Sequence, residues 1–198
     1  MILRKFLANC FMVIFFILIG LHPAACSQGP SGEVSEVKDF TLKDYNGKEV
    51  SLSDYKDSKA IVVIFVATEC PVSNAYNSRM ESLYNDYKEK GIAYLGINSN
   101  KAEDVKSMKE HAQDNRLTFT ILKDEKNVIA DQFKASVTPE VYVLSSDLKV
   151  LYHGRIDNSR DEDDVESKDL RNALDDILSG KKVSKSTTKA FGCTIKRV

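Results

Sequence analysis

The sequence has almost no charge of one sign: 28 lysines and arginines against 29 aspartates and glutamates leave a formal net charge of −1. Such a balance supplies no field to attract a polyanion, so nucleic acid is not expected as a partner. Cysteine is scarce, with four in 198 residues. No Cys-x-x-Cys-His haem attachment occurs, and Cys70 and Cys193 stand too far apart for a zinc knuckle. No structural metal and no cofactor are expected. Past the N-terminus no apolar run approaches the ~20 residues that cross a bilayer, and there is no internal repeat. A chain of this length with 42% hydrophobic residues suits one compact domain.

The N-terminus differs from the rest. Arg4 and Lys5 precede an almost wholly apolar run from Phe11 to Leu21, followed by the small residues of Pro23-Ala24-Ala25. This is the pattern of an export signal, so residues 1–26 are set apart from the fold and the protein is expected in the periplasm or cell envelope. A permanent anchor is the competing reading, against which the run is short and ends in a helix-breaking proline. Ala24-Ala25-Cys26-Ser27 resembles the end of a bacterial lipoprotein signal, which implies a lipid on Cys26 and attachment to a membrane. Simple cleavage without a lipid stands beside it. Either way Cys70 and Cys193 are the thiols left in the body, and two thiols in an oxidising compartment invite a disulfide.

Residues 27–36, rich in Ser, Gly and Glu, read as a flexible tether, residues 37–180 as the domain, and residues 181–198 as a basic tail. Phe40-Thr41-Leu42 and Glu49-Val50-Ser51-Leu52 alternate apolar with polar around Asn46-Gly47, which predicts a β-hairpin. Ala60 to Ala67 is a continuous β-branched run, the pattern of a strand covered on both faces. Tyr76, Met80, Leu83, Tyr84 and Tyr87 then recur at helical spacing, predicting one helix from Cys70 to Lys90-Gly91. Further along, the pattern predicts a strand over 92–98, a polar helix over 102–115 with Val105 and Met108 inward, a strand over 119–122 and a short helix over 128–133. A second hairpin, 140–144 with 150–153, and a helix over 170–178 complete the domain. This order predicts an α/β, thioredoxin-like fold: a central mixed sheet with helices on both faces, preceded by a β-hairpin. The acidic run Arg160 to Glu166 reads as a solvated linker.

Cys70 falls at a strand-to-helix turn beyond the end of a buried strand, where α/β folds place their sites. A helix N-terminus stabilises a thiolate through unpaired N–H groups, and Pro71 suits the first helical position. Ser73 is placed to turn its hydroxyl toward the sulfur, and Glu69, which would oppose a thiolate, is expected to face solvent. An inert buried cysteine is the alternative.

Phe65-Val66-Ala67-Thr68-Glu69-Cys70-Pro71-Val72-Ser73-Asn74, the strand Gly91 to Asn98, and Thr138-Pro139-Glu140 together resemble the redoxin domains of the alkyl hydroperoxide reductase and thiol-specific antioxidant superfamily, over about Val37 to Gly180. The resemblance implies that Pro139 is the cis-proline beside the active cysteine, exposing the backbone of Thr138 for pairing with a substrate peptide. It implies a thiol oxidoreductase acting on a thiol or disulfide protein or on a peroxide, with an external reductant the sequence does not identify. Ser73 stands where thioredoxins carry a second cysteine, so dithiol exchange within one turn is unavailable. Ala67 and Val141-Tyr142 replace the Thr or Ser and the Arg that true peroxiredoxins carry.

Cys193, in Phe191-Gly192-Cys193-Thr194, is the candidate resolving partner of Cys70, with Lys196 and Arg197 expected to lower its pKa. A free surface thiol or an intermolecular disulfide is the alternative. Arg155 could act as a substitute cation near the site, though a surface salt bridge is its commoner fate. His153 with Cys70 suggests a second class of function, a redox-inactive copper carrier, but Asn74 takes the place of the second cysteine such a site needs. His111 has no partner pattern.

Overall fold

The computed structural model describes residues 33–198. The expected signal, Cys26 and residues 27–32 of the tether lie outside the described residues. The run over Ala60–Phe65 (β3) explains the architecture, because its side chains alternate between two cores. Ala60, Val62 and Ile64 enter one core, and Ile61, Val63 and Phe65 the other. Each of the six residues is fully buried, which requires cover on both faces of the sheet.

That cover comes from helices. Pro71–Ala75 (α1) and Asn77–Tyr87 (α2) bring Tyr76, Met80, Leu83 and Tyr87 to the first core, where Met108 and Ala112 of Val105–Asp114 (α3) and Leu170 and Leu174 of Asp169–Leu178 (α5) join them. On the opposite face Val128–Phe133 (α4) contributes Ile129, Ala130 and Phe133. The remaining strands of the main sheet are Thr41–Asp44 (β1), Glu49–Ser51 (β2), Ile92–Asn98 (β4), Thr120–Lys123 (β5), Glu140–Leu144 (β7) and Val150–Gly154 (β8). They form a seven-stranded sheet in the order β2-β1-β5-β4-β3-β7-β8. β3, β4 and β5 are parallel, and the β1-β2 and β7-β8 hairpins are antiparallel. The fold is thioredoxin-like, with the expected mixed sheet and helices on both faces. The N-terminal hairpin extends that sheet by pairing β1 with β5.

Three expectations need correction. The helix after Cys70 is two helices, because the chain breaks at Tyr76 (φ −96°, ψ −3°). There the Tyr76 hydroxyl reaches Asp157 at 2.8 Å, and Arg79 crosses back to the Ala75 carbonyl. The third helix starts at Val105, since the Asp104 side chain accepts the Ser107 N–H at 2.7 Å and caps it there. Val105 consequently faces outward, 36% exposed, and Met108 and Ala112 make the inner face. A further pair of strands also escaped the periodicity: Val137–Thr138 (β6) and Cys193–Thr194 (β9) join in a separate two-stranded sheet.

Candidate active site

The loop from β3 to α1 is held by a carboxylate that sequence reasoning missed. Glu103 is buried, and its oxygens accept the N–H groups of Thr68 at 2.7 Å and Glu69 at 3.3 Å, while Asn98 donates to it from β4. Glu103 lies in a polar stretch with no period and no partner spacing, so nothing in the sequence singles it out. With its N–H engaged, Glu69 turns its side chain to solvent, as expected. Asn74 closes the loop by donating to the Thr68 carbonyl at 2.9 Å.

Cys70 is the N-cap of α1, with Pro71 in the first turn, and is 4% exposed. Its sulfur accepts the backbone N–H of Ser73 at 3.3 Å and lies 3.4 Å from the Thr138 carbonyl oxygen. Ser73 therefore acts through its backbone. Its hydroxyl, expected to face the sulfur, instead accepts the Ala67 N–H at 3.2 Å. Since α1 has only five residues, its macrodipole is small, and the thiolate depends on individual donors.

The Thr138-Pro139 peptide bond is cis. β6 leads into it, and Glu140 secures β6 from behind: its buried carboxylate accepts the Ser136 and Val137 N–H groups at 2.8 and 3.1 Å. The Tyr142 hydroxyl and His153 Nε2 also bond Glu140, at 3.1 and 2.7 Å. Burial pushes the Glu140 carboxyl up, but the bonds from His153, Ser136 and Val137 outweigh it and hold the pKa below the usual range. His153 stacks on Tyr142 and spends its Nε2 on Glu140, so the copper pairing with Cys70 is not favoured. Among the described residues no group of three or more His, Cys, Asp or Glu side chains could hold a metal ion.

Cys193 lies directly opposite Thr138 in the β6-β9 pair. Gly192 permits this approach, because a Cβ there would collide with the Thr138 carbonyl. Burial opposes ionisation of Cys70, yet hydrogen bonds from the Cys193 thiol, the Ser73 N–H, Thr138 and the Cys193 N–H prevail and lower its pKa. Cys193 moves the other way, correcting the sequence expectation: its bond to Cys70 and its burial raise its pKa, against the Val72 N–H and a weak pull from Lys196. Arg197 cannot help, since it pairs with Asp131 at 2.6 Å. The two remaining candidates also have structural partners. Arg155 bridges to Asp169 at 2.6 Å, and His111 is half-buried with Nε2 3.2 Å from the Asn77 amide.

The lowered pKa has a direct consequence for pH dependence. Cys70 loses its proton at a lower pH than an ordinary thiol, so its alkylation by iodoacetamide should reach its plateau below the usual thiol range. Cys193→Ala removes one lowering bond and should move the inflection up, whereas Cys193→Ser keeps a donor and should move it less. Identical profiles for the three proteins would show that Cys193 does not tune Cys70.

A thiol capping the helix that follows β3, beside a cis-proline on the neighbouring segment, defines a thioredoxin-like redoxin. The chain belongs to the AhpC/TSA family, whose model matches residues 34–153. It is 32% identical over 134 residues to the chloroplastic peroxiredoxin Q of Triticum aestivum, a match covering 64% of this chain and 59% of that protein. The chain spans about three fifths of the length of the curated relatives it matches. Among solved structures, a hypothetical protein of Sinorhizobium meliloti 1021 aligns with a TM-score of 0.79 at 29% identity, over 86% of this chain and 97% of that one. The thioredoxin domain of a thiol-disulfide oxidoreductase from Bacteroides vulgatus shares the fold, with a TM-score of 0.60 at 17% identity over 74% of this chain and 97% of that one.

Proposed function

We propose that this protein is an exported thiol oxidoreductase in which Cys70 is the nucleophile and Cys193 the resolving thiol. The observation that carries this reading is the strand pairing that sets Cys193 opposite Thr138, whose carbonyl oxygen lies 3.4 Å from the Cys70 sulfur. Family membership and the likeness to peroxiredoxin Q support a peroxide as oxidant, and a protein disulfide would enter the same site.

With a peroxide, the Cys70 thiolate attacks one oxygen, the O–O bond breaks, and the leaving oxygen departs as an alkoxide or hydroxide. Cys70 becomes a sulfenic acid. Cys193, which pairs with Thr138 beside Cys70, is the thiol placed to resolve it. Its sulfur then attacks the sulfenic sulfur, an S–S bond forms, and the hydroxyl leaves as water with the Cys193 proton. An external dithiol returns both cysteines to thiols. Thr138 joins the two halves of the site: its carbonyl oxygen lies 3.4 Å from the Cys70 sulfur and its backbone pairs with Cys193, with the cis-Pro139 bond directly after it. Export is supported by the Arg4, Lys5 and Phe11 to Leu21 pattern, and a lipid on Cys26 by the residues around it. The mass of the mature protein isolated from its host tests both.

The redox reading is tested by adding one equivalent of hydrogen peroxide to the reduced protein and mapping peptides without reductant. A Cys70-Cys193 linked pair is expected, and in Cys193→Ser a sulfenic acid on Cys70 that dimedone captures. A Cys70 recovered as an unmodified thiol would overturn the proposal.

A further inference from the structure

The segment between β4 and α3 grips both halves of the site. On one side the Glu103 carboxylate accepts the Thr68 and Glu69 N–H groups, which fixes the two peptide planes that lead toward Cys70. On the other side Asn100 holds the tail. Its side-chain oxygen accepts the Lys196 N–H at 2.9 Å, and the adjacent Lys101 N–H donates to the Lys196 carbonyl at 2.8 Å. Lys196 follows β9 closely, so these two bonds fasten the strand that carries the second thiol. Glu103 and Asn100 are each 4% exposed, so water competes little for these bonds.

A buried lysine ties the two grips together. Lys123, the last residue of β5, donates through Nζ to the Asn100 and Glu103 carbonyls, each at 2.7 Å, and lies 3.4 Å from the side-chain oxygen of Asn98. An ammonium has three hydrogens to place, and three oxygens of this one segment surround it. Asn98 completes the set, donating to the Glu103 carboxylate and accepting the Asn100 N–H at 3.1 Å. The shape of the segment is therefore fixed from the sheet, by the ends of β4 and β5.

We propose that residues 98–103, fastened by Lys123, are a positioning bracket for both thiols, with Glu103 setting the turn into Cys70 and Asn100 setting the strand of Cys193. The purpose of the bracket rests on the redox reading, while its geometry is measurable without any oxidation. Charge and position make opposite demands of Glu103. A carboxylate acting only as a nearby negative charge disfavours a thiolate, so its removal would make Cys70 more acidic. A carboxylate that holds the turn keeps the sulfur on the Ser73 N–H, so its loss makes Cys70 less acidic.

The test uses the full chain with Cys193→Ala, which leaves Cys70 as the thiol of the site, and follows its alkylation by iodoacetamide against pH. Glu103→Gln, which keeps the shape but cannot accept from both N–H groups, should raise the inflection by about half a pH unit or more. Glu103→Asp keeps the charge but withdraws it by one methylene, and should also raise it, which guards against a folding defect in the first variant. A general loss of stability would lower the urea midpoint without moving the inflection. For the tail, Asn100→Ala in the unsubstituted chain should speed amide hydrogen exchange over residues 191–197 about threefold or more, with β3 unchanged. Lys123→Met should move both readings in the same directions. An inflection that falls or stays in both Glu103 variants overturns the grip on Cys70, and unchanged tail exchange in Asn100→Ala overturns the grip on Cys193. Both shifts as expected, in a protein whose Cys70 neither hydrogen peroxide nor a disulfide oxidises, uphold the bracket and overturn the redox reading alone.

Discussion

Cys70→Ser should lower peroxide or disulfide turnover on the order of a thousandfold or more, because a serine hydroxyl is neither ionised near neutral pH nor a comparable nucleophile. Stability should change little, since the hydroxyl can accept the same Ser73 N–H that the sulfur accepts at 3.3 Å. Cys193→Ser should behave differently: one equivalent of oxidant is consumed at close to the normal rate, and turnover then slows as sulfenic acid accumulates. Stopped-flow consumption of substoichiometric and excess oxidant separates the two phases. Turnover surviving in Cys70→Ser would remove this cysteine from the chemistry. A full steady rate in Cys193→Ser would assign resolution to an external thiol.

Arg79→Ala should cost about 3–5 kcal/mol of folding stability. Arg79 and Asp157 form an ion pair at 2.7 Å, with side chains 10% and 5% exposed, and the Asp157 carboxylate also accepts the Tyr76 hydroxyl at 2.8 Å. The guanidinium lies over the Tyr76 ring, 3.7 Å from its centroid, and donates to the Ser159 carbonyl at 2.9 Å. Together these bonds tie the α1-α2 junction to the segment after β8. Removing the arginine strands a buried carboxylate, which is the expensive way to break such a pair. Replacing both partners with apolar residues should recover most of the loss, because no charge is then left without its counterion. Urea unfolding of the single and double variants measures both effects. A cost below about 1 kcal/mol for Arg79→Ala would place the pair among weak surface bridges instead.

Much of the fold was legible because burial writes itself into residue order. The run from Ala60 to Phe65 predicted a strand covered on both faces, and it splits residue by residue between two cores. Asn46-Gly47 marked its hairpin, and Val128–Phe133 formed a helix over the expected bounds. The misses share a cause. The break at Tyr76 follows from hydrogen bonds to Asp157 and Ser159, some eighty residues away. β6 and β9 are too short for a period and exist only because each is the other's partner. Buried polar groups such as Glu103 and Lys123, whose Nζ donates to the Asn100 and Glu103 carbonyls, look from the sequence like ordinary surface charges.

At Cys70 the division is sharpest. Residue order alone marks a cysteine followed by proline at the end of a buried strand, a proline far along the chain, and a second cysteine in a tail. Those are local properties, set by residue type and by the period of the neighbouring apolar residues. Contacts between distant segments set which groups face the sulfur, a backbone N–H of Ser73 in place of its hydroxyl and the Thr138 carbonyl, and bring Cys193 alongside as a strand paired with Thr138. The acidity of the two thiols follows from those contacts. Hydrogen bonds act over a few ångströms, so the sign of each shift depends on which segments meet, and no spacing along the chain records that.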